Sequence, residues 1–404
     1  MRTRYGTSPW IDLFPKSRRP DLPRLKGEHR AHVVIVGGGL TGCATALACA
    51  AAGLKPILIE AERIGQGGTG RSAGLLLSDP GPSFRDIAKA HGLRAARQVF
   101  ESWRRASLDG ASLLKRLRVR CDLESCDDLS VSIRDSEKAL VKELEARAAA
   151  GLDARRLSSQ AARAATTFDA TAAMKLGAGF TLDPYRACLG LAAAARSRGG
   201  TLFESSRVKK VQVGSKQVDV VLDSGVVHAQ TVIIATGSAT SEYKPLRRHF
   251  KRRDSFLVLT EPMPAAMRRQ LAGSDVIVRD MASPPHCIRR TKDDRLLIVG
   301  GDRDETPPRQ RDAVLVQRTG QLMYELLVMN PAIAGLQPEY GWDSMYGDTA
   351  DGLMYIGPHR NYPRHLFALG GGVSVAGAFL AARILSRALQ GSSEKADAVF
   401  GWTR

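Results

Sequence analysis

The stretch HVVIVGGGLTGCATALACAAAGLKPILIEAER, residues 32 to 63, decides the fold. Val33 to Val36 is a β-branched run without polar alternation, as expected of a strand covered on both faces in a parallel sheet. Gly37, Gly39 and Gly42 follow directly, then Ala-rich helical text, then a second apolar strand ending at Glu60. This is GxGxxG between strand and helix, with an acid 23 residues after the first glycine. In such a unit the first glycine makes the tight turn, the second lets backbone approach a pyrophosphate, and the third lets helix and strand pack closely. The amides of the helix N-terminus then face the phosphates. Glu60 can accept both hydroxyl hydrogens of an adenosine ribose and would repel a 2′-phosphate, which disfavours NADP and leaves NAD and FAD open.

Working outward, RIGQGGTGRSAG at 63 to 74 supplies backbone amides and hydroxyls suited to an extended, permanently held cofactor, although a flexible glycine loop would read the same. Helical text dominates from Ser83 to Leu117 and from Ser136 to Ala150, with a short strand near Leu129 to Ile133 between them. Thr201 to Gly237 reads as short strands ending in TVIIATG, which returns the chain to the first sheet. Ser255 to Gly301 has strand character and Arg309 to Met329 is helical. The carboxyl end closes with the strand and glycine turn HLFALGGG, then an amphipathic helix.

Composition is that of a globular protein: 404 residues, 44% hydrophobic and 25% charged. That length favours two domains over one. No apolar run is long enough to span a bilayer, and the amino terminus lacks the apolar centre of a secretory peptide, so a cytoplasmic location is expected. Six cysteines without a CxxC pair read as reduced thiols, with no metal site. The net charge of +18 gathers at Lys16/Arg18/Arg19, Arg247/Arg248, Lys251/Arg252/Arg253 and Arg268/Arg269. Aromatics, at 6%, do not interleave these clusters, which favours a solvated basic surface over nucleic-acid binding.

Segments 33 to 74, 231 to 237 and 366 to 372 together resemble the D-amino-acid oxidase superfamily, with glycine oxidase, sarcosine oxidase and the γ-glutamylputrescine oxidoreductases as recognisable relatives. The resemblance runs from about residue 31 to 391, in the same order and spacing. It implies an α/β protein: a discontinuous, Rossmann-like, doubly wound FAD-binding domain with an inserted mixed-sheet substrate domain. The boundaries expected are an arm at 1–30, FAD-binding segments at 31–80, 151–243 and 335–391, a substrate or cap domain at 81–150 and 244–334, and a tail at 392–404.

The resemblance assigns Gly37, Gly39 and Gly42 to the pyrophosphate, Glu60 to the ribose, and Arg63 with Gly68, Thr69, Gly70, Arg71, Ser72, Ala73 and Gly74 to the flavin side. Val208 would meet adenine through its backbone, and Ala235, Thr236 and Gly237 would lie near the phosphates. Gly370, Gly371, Gly372 and Ser374 would face the pyrimidine edge of the isoalloxazine, where a helix N-terminus stabilises the charge arriving with a hydride.

For the substrate, the resemblance places an arginine before a "dgRLL.GG" segment, which here offers Arg289 and Arg290 in HCIRRTKDDRLLIVGG. A guanidinium grips a carboxylate through two parallel hydrogen bonds, and strand alternation buries only one of the two, with Arg289 preferred. Two departures matter. Ser344 stands where sarcosine oxidases attach flavin through cysteine, so FAD should be noncovalent. The lysine those enzymes use for carboxylate binding is missing, with Gly377 near its place. Tyr346 and Tyr355 flank the Asp351-Gly352 turn and would cap the substrate or simply fill the core. His286 reads as a hydrogen-bonded structural residue rather than a base.

The expected activity is FAD-dependent oxidation of a small amine or amino acid. Hydride would pass from the carbon bearing nitrogen to flavin N5, and the resulting imine would hydrolyse. Either oxygen or another carrier would reoxidise the flavin. A 2-hydroxy-acid oxidase, and a noncatalytic basic flavoprotein binding nucleic acid or membrane, are the competing readings.

Overall fold

The computed structural model describes residues 2–404 apart from 134–136, 167, 272–275, 283–284 and 373. The strand Gly27–Val36 lies in the smaller of two sheets, flanked in parallel register by Pro56–Ile59 on one side and Gly225–Gly237 on the other. Thr201–Phe203 extends the first side, and Tyr362–Leu369 followed by Tyr355–His359 extends the second. The chain leaves Gly27–Val36 in one direction and comes back on its other side, so the order reverses between that strand and Gly225–Gly237. A crevice opens at such a switch point, beyond the carboxyl ends of the strands.

Alternation sorts the two faces of this sheet. Val33 and Ile35, with Leu58 and Ile233, pack against helices Leu40–Ala51, Pro184–Ser197 and Ala376–Leu389, the last of which rests on the long helix Leu93–Arg116. Val34, Ile57, Val232 and Ile234 pack instead against the hairpin strands Val208–Val213 and Val218–Leu222 and against Tyr243 and Leu246. The second face therefore carries a meander and a short helical turn where a doubly wound sheet would carry helices.

The larger sheet, of ten strands, runs in the order Arg4–Tyr5, Pro338–Asp348, Lys251–Thr260, Leu296–Asp304, Cys287–Arg290, Val276–Asp280, Glu124–Ser132, Ala172–Thr181, Leu75–Leu76, with Arg155–Leu157 paired beside Ala172–Thr181. One face, through Phe256, Val258, Ile288 and Ile298, buries helix Arg311–Met329. The other, through Leu257, Leu259, Cys287, Val299, Tyr340 and Trp342, meets Ala73, Leu75 and Leu77 at the junction with the nucleotide crevice.

Several expected boundaries shift. Strands Leu75–Leu76, Ala172–Thr181 and Pro338–Asp348 fall inside the segments assigned from sequence to the FAD-binding domain, yet all three pair in the larger sheet. The helix expected over Ser83 to Leu117 is two helices, Phe84–His91 and Leu93–Arg116, meeting at Gly92. The arm ties both halves together. Arg4–Tyr5 adds a parallel edge strand to Pro338–Asp348, the Ser8 hydroxyl donates to the Gly70 carbonyl, and Trp10 Nε1 donates to the Ser72 carbonyl at 2.9 Å. The tail is held as well: Arg404 Nε donates to Asp351 at 2.6 Å, and Trp402 stacks on Tyr355 with ring centroids 4.5 Å apart.

Candidate functional site

At the switch point the backbone closes tightly. Gly37 has φ +111°, and a Cβ there would stand 2.5 Å from the Ala235 carbonyl oxygen. A Cβ on Gly42 would fall 1.9 Å from the Gly37 carbonyl oxygen, so helix Leu40–Ala51 can start this close to the turn only with glycine. Gly39 is the N-cap and supplies no capping side chain. The Thr69 hydroxyl accepts from the Leu40 amide at 2.8 Å, which sets one flavin-side residue directly at this helix N-terminus. Glu60 closes the far wall, accepting from the Gly38 amide at 2.6 Å and the Glu62 amide at 2.8 Å. Gly38 was not singled out from the sequence, although a Cβ there would lie 2.5 Å from Ile64 Cδ1. The middle glycine of GGG carried the signal.

The crevice continues along Ala235, Thr236 and Gly237, where the Gly370 amide donates to the Gly237 carbonyl at 2.8 Å. Gly370 and Gly371 take φ +84° and +135°, leading to Ser374 and then helix Ala376–Leu389. Val373 lies outside the described residues. A Cβ on Gly68, Gly237 or Gly372 would meet nothing within 4 Å, so the walls leave room for an extended ligand. An adenine dinucleotide fits this donor set: glycine backbone at the phosphate position, a carboxylate at the strand end, and a second glycine turn before a helix.

Two residues expected to touch the ligand are engaged elsewhere. The Arg71 guanidinium donates to Asp343 Oδ1 at 2.9 Å and to the Gly6 carbonyl at 3.2 Å, locking the arm against the larger sheet. The Ser374 hydroxyl accepts from the amides of Leu77, at 3.1 Å, and Ala376, at 3.2 Å, so it holds the helix start to the sheet junction at the edge of the cavity. Arg63 is exposed beside the crevice, and Val208 begins the hairpin.

Between the sheets lies a cavity of about 510 Å³. Gly371, Gly372 and Ser374 form one wall, and Ser255, Asp302 and Tyr346 of the larger sheet form another. The Tyr346 hydroxyl donates to Asp302 at 2.7 Å. Burial, then the Asp302 charge, raise its pKa far above that of an ordinary phenol, so it remains a donor. At the far end Arg147 pairs with Asp79 and Glu143, each at 2.7 Å, while Arg279 grips Asp128 through Nε at 3.0 Å and Nη2 at 2.9 Å and reaches Asp79 at 3.3 Å. Glu143 also accepts from the Phe84 amide at 2.7 Å, capping helix Phe84–His91. None of Asp79, Arg147, Arg279 or Asp302 was legible in the sequence, since they come from separated segments with no shared spacing.

Alternation does place Arg289 inward. It is 5% exposed, its Nη2 donates to the Leu182 carbonyl at 3.3 Å, its guanidinium sits 5.2 Å from the Trp10 ring centroid, and burial lowers its pKa to about 10. Yet neither Arg289 nor Arg290 lines this cavity. Both line a separate opening shared with Glu124, Cys126 and Thr181, where Arg290 Nε donates to Asp294 at 3.1 Å. Tyr355 stacks on Trp402 and takes Arg404 over its ring at 3.8 Å, so of the two tyrosines only Tyr346 reaches the cavity.

His286 lines the cavity with its ring held between Asp280 Oδ2 at 2.7 Å and Glu325 Oε2 at 3.0 Å. Burial works against the imidazolium, but the two carboxylates prevail and its pKa is raised. A raised folded-state pKa contributes stability fully present below the unfolded value of about 6.5 and lost as pH rises through the folded value. The thermal midpoint of the wild type should therefore exceed that of His286→Gln most at mildly acidic pH, with the gap closing above neutrality. A gap that widened with pH would refute the pairing.

This crevice, glycine turn and intersheet cavity define a dinucleotide-binding protein with an enclosed space between its two sheets. The chain belongs to the FAD dependent oxidoreductase (DAO) family, whose profile matches residues 32–388, and it is a flavoenzyme that uses FAD. It is 28% identical over 374 residues to γ-glutamylputrescine oxidoreductase of Escherichia coli K12, covering 91% of this chain and 85% of that one. It is 24% identical to glycine oxidase of Bacillus licheniformis, covering 84% and 88%. The glycine oxidase structure from Geobacillus kaustophilus superposes with a TM-score of 0.76 at 19% identity, over 93% of this chain and 99% of that one, and shares the fold. No helix among the described residues is long and apolar enough to cross a membrane.

Proposed function

We propose that the chain oxidises a small amine or amino acid at the carbon bearing nitrogen, in the cavity between the glycine turn 370–372 and the larger sheet. The carrying observation is that this cavity is bounded on one side by Gly371 and Gly372, at the start of helix Ala376–Leu389, and on the other by Tyr346 and Ser255. Relatives named for an amine and an amino acid support that class. FAD, when bound, supplies the hydride acceptor.

The chain's own residues bind and orient. Gly37, Gly39 and Gly42 bring backbone amides to the pyrophosphate, Glu60 receives the ribose, and the helix behind Gly370–Ser374 offers positive potential beside the flavin ring. Ser344 cannot form a thioether, so the cofactor is held without a covalent bond at that position. The walls align the substrate's hydrogen-bearing carbon and limit water, and positioning of this kind supplies most of an enzyme's advantage when the cofactor does the redox step.

Anaerobic mixing tests the class. Primary and secondary amines and amino acids should bleach the flavin band. If they leave it unchanged while 2-hydroxy acids bleach it, the hydroxy-acid reading replaces this one. Readmitting air then shows whether oxygen or another carrier is the acceptor, by whether the band returns in seconds or only over many minutes.

A further inference from the structure

The protein carries a net charge of +18, but its intersheet cavity is acidic. Six carboxylates line it against two guanidiniums and one imidazole. Both guanidiniums, of Arg147 and Arg279, are already paired with buried acids, so neither offers an uncompensated positive charge to a substrate carboxylate. The acids differ in how they are satisfied. Asp79 is consumed by the two arginines, and Asp280 by His286 and two backbone amides. The Asp302 carboxylate, among the described residues, has one partner, the Tyr346 hydroxyl.

Its surroundings are built for a donor that brings several hydrogens. Strands Pro338–Asp348, Lys251–Thr260 and Leu296–Asp304 are neighbours in that order. Tyr346 stands on the first, Ser255 on the middle one and Asp302 on the third, and the tyrosine hydroxyl crosses the middle strand to reach Asp302. Ser255 lies between them. It is 5% exposed, lines the cavity, and its hydroxyl has no hydrogen-bond partner among the described residues. A buried hydroxyl left unpaired is destabilising, so a ligand that satisfies it gains correspondingly.

An ammonium has three hydrogens and no acceptor, and this group presents a carboxylate and two hydroxyl oxygens. That ammonium is not the nitrogen being oxidised. Hydride leaves the neighbouring carbon only when the nitrogen is neutral and can donate its lone pair, and a carboxylate beside it would hold the proton on. We infer that the substrate is a primary or secondary amine carrying a second, nonreacting cationic group, a diamine or longer polyamine-type chain, and that Asp302, with Ser255 and Tyr346, receives that second cation. This rests on the amine reading above and narrows it.

The test compares three probes of equal length on the FAD-loaded enzyme under anaerobic conditions: butane-1,4-diamine, butylamine and 4-aminobutanoate, with cationic, neutral and anionic tails. Rates of flavin bleaching should give kcat/KM in the order diamine, butylamine, aminobutanoate, with about tenfold or more per step, as expected from gaining or opposing one charged hydrogen bond. In Asp302→Asn the ratio of diamine to butylamine should fall about tenfold, with the loss in KM, and Ser255→Ala should lower it by a smaller factor. Aminobutanoate equalling or exceeding the diamine in the wild type would overturn the inference without needing either variant. So would a selectivity ratio unchanged in an Asp302→Asn protein that still binds FAD. Failure of the amine reading looks different: no amine of any tail bleaches the flavin while a hydroxy acid does, and the inference falls with it.

Discussion

Gly42→Ala is expected to yield a chain that purifies with little or no flavin. The new Cβ would stand 1.9 Å from the Gly37 carbonyl oxygen and 3.1 Å from its carbon, both backbone atoms that cannot turn aside. Relief requires helix Leu40–Ala51 to move away from the turn, which withdraws its N-terminal amides from the phosphate position. Overpacking of this sort costs about 1–3 kcal/mol, and spent on the holding geometry it weakens FAD by roughly ten- to a hundredfold. The flavin-to-protein ratio after gel filtration, with an FAD titration, reads the effect. Gly320→Ala is the control: it lies within helix Arg311–Met329 with nothing within 4 Å, so it should keep its flavin and lose no stability. If Gly42→Ala retained FAD as tightly as the wild type, the turn would not be the phosphate crevice.

That prediction could be written from sequence because the crevice is local. Strand, turn, helix and acid lie within 28 residues at one spacing, and close packing permits few alternatives. The second sheet was legible in part. LLIVGG and FLVLTEP are apolar and β-rich, but ATAAMKLGAGFT, which contains strand Ala172–Thr181, is alanine and glycine with few β-branched residues, and only its place between Glu124–Ser132 and Leu75–Leu76 makes it a strand. The substrate side was least legible. HCIRR offered two arginines of which alternation lets only one be buried, but pattern gives the face of a strand and not the distance along it. Cys287 lines the cavity and Arg289, two residues on along the same face, lies beyond it. The cavity's own charges come from segments near residues 79, 147, 279 and 302, which nothing short of the folded chain brings together.

Among those charges, Asp79 carries the largest expected effect on stability. It is 3% exposed and is the only bridge between Arg147 and Arg279 among the described residues. Burial alone would raise its pKa, but the two guanidiniums overcome that and hold it below the usual carboxylate range. A lowered folded pKa gives stability that is present above the unfolded value of about 3.9 and lost as pH falls through the folded one. Asp128 runs the other way. Its burial outweighs Arg279, its pKa is raised, and its ionisation lowers stability as pH climbs from the unfolded value to the folded one. Asp79→Ala should therefore cost about 3–5 kcal/mol above pH 5, the penalty for leaving a buried charge uncompensated, and the deficit should shrink in acid. Urea unfolding at several pH values measures it. Asp79→Ala combined with Arg147→Met should recover part of the loss, since an apolar side chain removes the desolvation cost of a guanidinium left with Glu143 alone, while Glu143 keeps the Phe84 amide as a donor. A double variant no more stable than the single would mean that Asp79 acts through its Gly81 turn, where it accepts at 3.0 Å, and not through charge. The same substitution bears on selectivity. With Asp79 gone, two guanidiniums facing the cavity lose part of their compensation, so the surviving holoenzyme should discriminate less strongly against 4-aminobutanoate. Buried acids neutralise the arginines that hold the cavity's far wall, and an anionic tail gaining on the diamine in Asp79→Ala would be the sign that they also keep those arginines from recruiting an anion.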